Sequence, residues 1–186
     1  MNVTAPNRMT VDEFLRWCQR QERGRFELQD GRVIMQQAQT WGHAKLRMQV
    51  YVALTRAIAR QGAPLFAAPD GMTVRIDEAT AYEPDALIAP LPEPVGQALE
   101  IPNPVVVVEV LSPSSEKRDL EEKVAGYARV PTIEHYLILD PGAGVVMHLT
   151  RATMQAGAEP RRVSEAVLRL DPPGIELAIA ELFPRA

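Results

Sequence analysis

Residues 105–114 have the sequence Val-Val-Val-Val-Glu-Val-Leu-Ser-Pro-Ser. In 105–111, apolar residues occupy both the odd-numbered and the even-numbered positions, which point to opposite faces of a strand. This pattern is typical of a β-strand covered on both faces. Glu109 lies inside this strand, where an ionised carboxylate is costly unless another charge or a cation compensates it. A glutamate at an exposed strand end, or one paired with an arginine, is the alternative explanation. The stretch predicts a covered sheet and makes Glu109 the first candidate site residue.

Asp85 is the second candidate, because it precedes a strand predicted over 86–89. If this strand pairs antiparallel with the first so that Ala89 faces Val105, then Asp85 faces Glu109. Carboxylates on directly opposed residues, whose β-carbons are ~5 Å apart, repel each other. They therefore require a shared proton or a cation, and oxygen ligands of this kind suit magnesium or manganese. The alternative is a turn or cap role, which is common for an aspartate after proline.

Three elements are predicted before these strands. Thr10 and Glu13 have the spacing of a capping box, which begins a helix. Asp30-Gly31 is typical of a hairpin turn between two short strands. Apolar residues at helical spacing then predict a long amphipathic helix that ends before Gly62. The predicted ranges are 11–21 for the first helix, 25–35 for the hairpin and 43–60 for the long helix.

A second long helix is predicted after Pro113, with Ser114 or Ser115 as its cap and its end near residue 129. Lys123 lies on the flank of its apolar stripe, so the lysine stem can cross apolar surface and bring the ammonium to the end of the sheet. A helical ion pair with Asp119, four residues earlier, is the alternative.

Further strands are predicted along the chain, and together with the helices they indicate one domain over 1–186 of the α/β or α+β class. The sheet is expected to be built mainly from hairpins. The additional strand ranges are 65–68, 73–76, 135–140, 145–149, 163–170 and 175–178.

The composition is that of a globular chain: 186 residues, of which 46% are apolar and 24% charged. No apolar stretch is long enough for a membrane span, and the first residues lack the pattern of a secretory signal. We therefore expect a cytoplasmic protein with no membrane contact. The single cysteine, Cys18, excludes an internal disulfide and a cysteine zinc site. The histidines His43, His135 and His148 lack the short spacing of metal ligands.

A set of short motifs recurs in a fixed order along the chain and carries a family resemblance. The motifs are Glu27-Leu28 with Asp30-Gly31, Pro84-Asp85, the segment 108–114, Asp119 with Lys123 and Tyr127, Tyr136, Asp140-Pro141, and the closing 174–177 with Leu182-Phe183. This pattern resembles the Uma-two family, a large bacterial group described as restriction endonucleases within the PD-(D/E)XK nuclease superfamily. The resemblance covers about 10–183, and its most specific part is 108–127.

The resemblance implies a restriction-endonuclease-like core, a mixed β-sheet flanked by helices, with the N-terminal helix and hairpin and extra C-terminal strands added to it. It makes Asp85 the motif aspartate and Glu109 the motif acid. The usual lysine two positions after that acid is replaced by Leu111, and Lys123 of the following helix matches the family's lysine. The resemblance makes Glu27 of the hairpin a matching family acid. Related nucleases often take a glutamate from the first core helix, and the helix over 43–60 has no acidic residue.

His135 and Leu137 depart from the glutamate and tryptophan that are frequent near the fourth core strand of this family. A role for an acid at position 135 is therefore not expected.

The implied activity is metal-dependent endonucleolytic hydrolysis of phosphodiester bonds, with DNA as substrate and Mg²⁺ or Mn²⁺ as cofactor. Asp85, Glu109 and Glu27 would hold the metal, and Lys123 would orient the water or stabilise the charged transition state.

Two other classes of function stay open at the level of the sequence. The net charge of −4 favours a catalytically silent nuclease-fold module that binds nucleic acid or a protein partner without cutting. A self-associating protein, as a homodimer through the first helix with Phe14 and Trp17, is the other.

Overall fold

The computed structural model describes residues 8–112, 118–164 and 167–183, without the side chains of Arg118 and Asp119. Two sequence predictions lie outside this part of the chain. They are the helix cap at Ser114 or Ser115 and the ion pair of Lys123 with the Asp119 side chain.

The described helices include one long helix and four short ones. They are α1 (Val11–Cys18), α2 (Trp41–Gln61), α3 (Lys123–Tyr127), α4 (Arg151–Gln155) and α5 (Ile179–Leu182), and a π-helical turn, Arg118–Glu122, leads directly into α3. The capping box predicted at Thr10 and Glu13 is confirmed at the start of α1. Gly62 ends α2 in the left-handed conformation (φ 61°), which glycine adopts without a steric penalty.

Twelve strands are described. They are β1 (Phe26–Gln29), β2 (Arg32–Met35), β3 (Leu65–Pro69), β4 (Val74–Arg75), β5 (Ala81–Tyr82), β6 (Ala86–Pro90), β7 (Val106–Val110), β8 (His135–Asp140), β9 (Val145–Thr150), β10 (Arg161–Val163), β11 (Val167–Leu170) and β12 (Ile175–Ala178).

The main sheet has six strands in the order β10-β9-β8-β7-β6-β3 and is mixed, as expected. All of its pairs are antiparallel except β7 with β8, which run parallel. A parallel neighbour requires the chain to cross from one end of the sheet to the other, and this crossover contains α3. The crossover thereby brings Lys123 close to the strand that carries Glu109.

The register assumed above for β6 and β7 is the one observed. Ala86 pairs with Val108, and the two following pairs keep the same register. Asp85 and Glu109 occupy the next position on their strands beyond this pair, and the Asp85 amide donates a hydrogen bond to the Val108 carbonyl at 2.9 Å. The two acids therefore lie side by side at one end of the sheet.

Helices cover both faces of the main sheet, which explains why β7 is buried along its whole length. One face packs on α2 and on the hairpin of β11 and β12, through Val106, Val108 and Val110 of β7. The other face packs on α3, where Val107 lies in the same apolar cluster as Tyr127 and Tyr136. Alternation along the strand puts Glu109 on the α3 face.

A smaller sheet with the order β2-β1-β5-β4 carries the N-terminal hairpin. Asp30 and Gly31 both have positive φ in its turn, as the Asp-Gly signal predicts. Helix α1 packs on this sheet, and the side chains of Phe14 and Trp17 are buried there against residues of the same chain. The apolar residues that suggested self-association are therefore already covered.

Several sequence expectations differ from the structure. The first helix ends at Cys18 rather than near 21, because residues 19–21 continue as hydrogen-bonded turns. The single strand predicted over 163–170 is two strands, β10 and β11, which belong to different sheets. The sequence analysis also missed β5, α4 and α5, which are too short for a periodic signal. Among the described residues, no helix combines the length and apolar character required to cross a membrane.

Gly126 of α3 is a position where the ring of Tyr82 leaves no room for a side chain. A Cβ built there would lie 2.5 Å from the ring of Tyr82, which is itself buried. The Tyr82 ring packs edge-on against Tyr127 at 5.5 Å between ring centroids. Because Gly126 has no side chain, α3 can lie close to Tyr82 of β5 in the smaller sheet.

We predict that Gly126→Ala destabilises the protein by about 1–3 kcal/mol, the usual cost of overpacking a core. Urea unfolding measures the change. Gly42→Ala in α2 is the matched control, because nothing lies within 4 Å of the added methyl group. It should be neutral or stabilising, and equal losses for both variants would contradict the prediction.

Two buried histidines face each other across β8 and β9. Nδ1 of His135 lies 2.9 Å from Nε2 of His148, and Nε2 of His135 lies 2.8 Å from the Pro172 carbonyl oxygen. Burial, with the His135 ring and Arg161 adding to it, lowers the pKa of His148 to about 4 from 6.5. The pair is therefore neutral in the folded protein at neutral pH.

We predict that this pair makes stability depend on pH. Below about pH 6.5 the unfolded chain takes up a proton at His148 that the folded chain accepts only near pH 4, so stability falls across this interval and is retained above it. At ~1.4 kcal/mol for each pKa unit, the loss approaches about 2.5 kcal/mol by pH 4.5. Urea unfolding of the unmodified protein and His148→Gln at pH 7.5 and pH 4.5 tests it. An identical pH dependence of both proteins would refute the prediction.

Candidate active site

A cavity of about 910 Å³ opens where β7 ends, between the start of α2 and the end of the N-terminal hairpin. Asp85, Glu109 and Lys123 line it, together with Arg25 and Arg47. It contains three of the four site residues that the sequence predicts. The fourth, Glu27, lies behind this wall.

Glu109 is held by two donors from the crossover. The Lys123 ammonium lies 2.7 Å from Oε1 of Glu109, and the Tyr127 hydroxyl donates a hydrogen bond to the same oxygen at 2.9 Å. Glu109 and Lys123 are only 3% and 4% exposed, so this is a buried ion pair. Burial, followed by the charge of Glu109, raises the pKa of Tyr127 well above its usual value. Tyr127 therefore stays a neutral donor.

Glu27 approaches the same ammonium from β1 of the smaller sheet. Its Oε1 lies 3.2 Å from Nζ of Lys123 and accepts a hydrogen bond from the Glu83 amide at 2.9 Å. Glu27 has no exposed surface. Lys123 therefore joins an acid of the main sheet to an acid of the smaller sheet. Its Nζ also lies over the ring of Tyr82, 5.8 Å from the ring centroid.

Asp85 is held by a different set of donors. Its Oδ1 lies 2.7 Å from Nε of Arg47, and its Oδ2 accepts a hydrogen bond from the Val110 amide at 2.6 Å. Burial raises the pKa of Asp85, but the contact with the His43 side chain, the Arg47 charge and the Val110 amide outweigh it, so that the pKa is lowered. Asp85 is therefore a carboxylate at neutral pH.

Arg47 begins a second layer of charges behind Asp85. Its Nη2 lies 2.8 Å from Asp70, and Asp70 lies 3.8 Å from Arg25. Arg25 in turn lies 3.5 Å from Glu83. Burial raises the pKa of Glu83 to about 7, against the opposing charge of Arg25. Acids and arginines thus alternate in one series of contacts that leads from Asp85 to Glu83.

The structure brings Glu27, Glu109 and Lys123 into direct contact and places Asp85 on the neighbouring strand. Their chemical roles stay predictions. Arg47, which the sequence analysis did not single out, had one usable signal: it is an arginine on the buried stripe of α2, adjacent to Leu46 and three residues before Val50. A buried arginine at such a position indicates a buried acid nearby.

The donor set fits a hard divalent cation. Asp85 and Glu109 offer carboxylate oxygens at the cavity wall, and Mg²⁺ is commonly bound by one or two carboxylates while it keeps several waters. Within the described residues, no three side chains of the His, Cys, Asp and Glu types form a metal-binding group.

A solved structure shares this fold. The chain matches a crystal structure described as "a putative nuclease belonging to DUF820" from Anabaena variabilis with a TM-score of 0.72 and 16% sequence identity. The match covers 94% of this chain and 97% of the other. The two chains therefore share one fold, a mixed sheet with helices on both faces.

The family is shown by a sequence comparison. The family model described as "Uma2: Putative restriction endonuclease" matches residues 11–180. The chain belongs to the Uma2 family, as the resemblance in its motifs implied. The comparison with curated proteins gave no match.

We predict that Lys123 and Glu27 are strongly coupled in stability. Lys123→Met leaves two buried acids without their shared cation and should cost about 3–5 kcal/mol, as for other broken buried ion pairs. Glu27→Gln in the same chain should recover part of this loss, because it removes one of the two uncompensated charges. Urea unfolding of both single variants and the double variant gives the coupling energy, which we expect to exceed ~1 kcal/mol. Additive losses would contradict it.

Proposed function

We propose that the chain is a divalent-cation-dependent endonuclease that hydrolyses phosphodiester bonds in DNA. Membership of a family described as restriction endonucleases supports a nuclease-type function and DNA as the substrate. The observation that carries the proposal is the Lys123 ammonium held against Glu109 on the wall of a cavity that Asp85 also lines. Two acids and an amine at one cavity wall are the groups that this hydrolysis requires.

Asp85 and Glu109 are the proposed cation ligands. Three buried carboxylates, Glu27, Asp85 and Glu109, face two buried cations, Lys123 and Arg47, which leaves one negative charge if all five are ionised. This imbalance favours a bound cation at the open side of the acids. A divalent cation would supply Lewis-acid polarisation of the phosphate and a lower pKa for a coordinated water.

Lys123 is the proposed catalytic amine. Its stem is buried and its ammonium is fixed between Glu109 and Glu27, so it is oriented before a substrate binds. From this position Nζ would hold the attacking water or stabilise the negative charge that develops on the phosphoryl oxygens. Glu27 would act as a positioning residue for the amine, and contact of Glu27 with a second cation stays a prediction.

Arg47 is the proposed positioning residue for Asp85. Its guanidinium fixes the carboxylate from the α2 side, while the Val110 amide fixes it from β7. Because these contacts lower the pKa of Asp85, the acid is deprotonated and able to bind a cation over the whole neutral range.

A plasmid-nicking assay with Mg²⁺ or Mn²⁺ tests the function. Asp85→Asn and Lys123→Met should each reduce the rate about 100-fold or more, the scale seen when one catalytic electrostatic group is removed. Glu134→Gln is the matched control, because Glu134 pairs with Arg151 and does not line the cavity. Cleavage that survives both site variants would overturn the assignment.

Calorimetry with Mn²⁺ separates the enzyme from a silent nuclease-fold module. We expect binding that Glu109→Gln abolishes and Glu134→Gln leaves unchanged. Absence of any such binding in the unmodified protein would favour the silent alternative, in which the same fold binds nucleic acid or a partner without cutting it.

A further inference from the structure

Two arginines on the cavity wall have more donors than the neighbouring acids use. Arg47 is 3% exposed, and its Nε and Nη2 are the atoms that lie against Asp85 and Asp70. Its Nη1 is buried and has no hydrogen-bond partner within the described part of the chain. Nη2 of Arg25 is in the same condition, although its Nε and Nη1 approach Glu83 and Asp70.

A buried guanidinium nitrogen without a hydrogen-bond partner destabilises the folded protein, because it has lost its hydrogen bonds to water and gained none in exchange. Protein interiors tolerate such groups where a ligand completes them. Here both side chains line the one cavity that contains the proposed catalytic acids. The wall therefore places two positively charged side chains beside any anion that enters the cavity.

We propose that Arg25 and Arg47 form a subsite for a backbone phosphate of the nucleic acid, on the α2 side of the proposed cleavage centre. The planar fork of arginine matches phosphate oxygens and makes strong charge-assisted hydrogen bonds to them. A phosphodiester is favoured as the occupant because a polynucleotide carries its next phosphate close to the one being cleaved. Arg47 then has two roles, since one part of its guanidinium positions Asp85 and another part binds substrate. This inference rests on the proposed function.

The subsite also accounts for how an acidic chain would bind DNA. The net charge is −4, so that no broad positive field attracts a polyanion. A few arginines concentrated inside one cavity can still neutralise individual phosphates and release their counterions. Binding would then depend on a small number of contacts at the site rather than on a basic surface.

The test measures binding of a fluorescein-labelled DNA duplex by anisotropy, in EDTA so that no cleavage occurs, over a series of NaCl concentrations. Arg25→Met should weaken binding about tenfold and reduce the slope of log K against log[salt] by about 0.9, the value for one lost phosphate contact. Arg47→Lys, which keeps the charge but loses the fork, should weaken binding with little change of slope.

Arg60→Met is the matched control, because Arg60 is on the same helix as Arg47 but pairs with Glu181 away from the cavity. It should change neither affinity nor slope. A purely structural role for Arg25 would leave the slope unchanged, and that result, or no duplex binding by the unmodified protein, overturns the proposal. Arg25 is about a quarter exposed, so its variant is the one expected to fold.

The same variants distinguish this inference from the proposed function. Mg²⁺-dependent cleavage with an unchanged salt slope in Arg25→Met would leave the function standing and remove the subsite. A reduced slope without any cleavage by the unmodified protein would support the subsite and remove the enzyme.

Discussion

The ammonium of Lys123, placed between the carboxylates of Glu109 and Glu27, is the interaction on which the site depends. All three groups are buried, and each would be unfavourable there alone. Their mutual contact connects α3, the main sheet and the smaller sheet at a single point. The N-terminal hairpin is therefore part of the site, since it supplies one of the acids that hold the amine.

The sheet topology determines which groups can meet. The parallel pairing of β7 with β8 forces a crossover, and that crossover brings α3 onto the face where Glu109 points. The antiparallel pairing of β6 with β7 places Asp85 beside the same acid. On the opposite face, α2 reaches the edge of the site with Arg47. Elements from both faces of one sheet thus converge at one end of it.

The sequence predicted the long helix α2 and the covered strand β7, because long periodic segments and a valine-rich strand are strong local signals. The register of β6 with β7 was assumed and is the one observed, whereas the second long helix is a π-helical turn followed by the short α3. The sequence also predicted that Asp85 and Glu109 are neighbours. It did not predict that Arg47 contacts Asp85, since this pair depends on how α2 lies across the sheet. The attachment of Glu27 to Lys123 likewise depends on the packing of two sheets, which no local pattern encodes.

The position of Lys123 on a helix, rather than on the strand that carries Glu109, has a consequence for how this cluster of charges can separate. The acids belong to strands, whereas the amine is carried by a short helix that packs over them. Local opening of that helix would separate the charges while the strands stay paired, because subglobal units of a protein can open below the free energy of complete unfolding. Separation of Lys123 from the two acids can therefore precede loss of the fold.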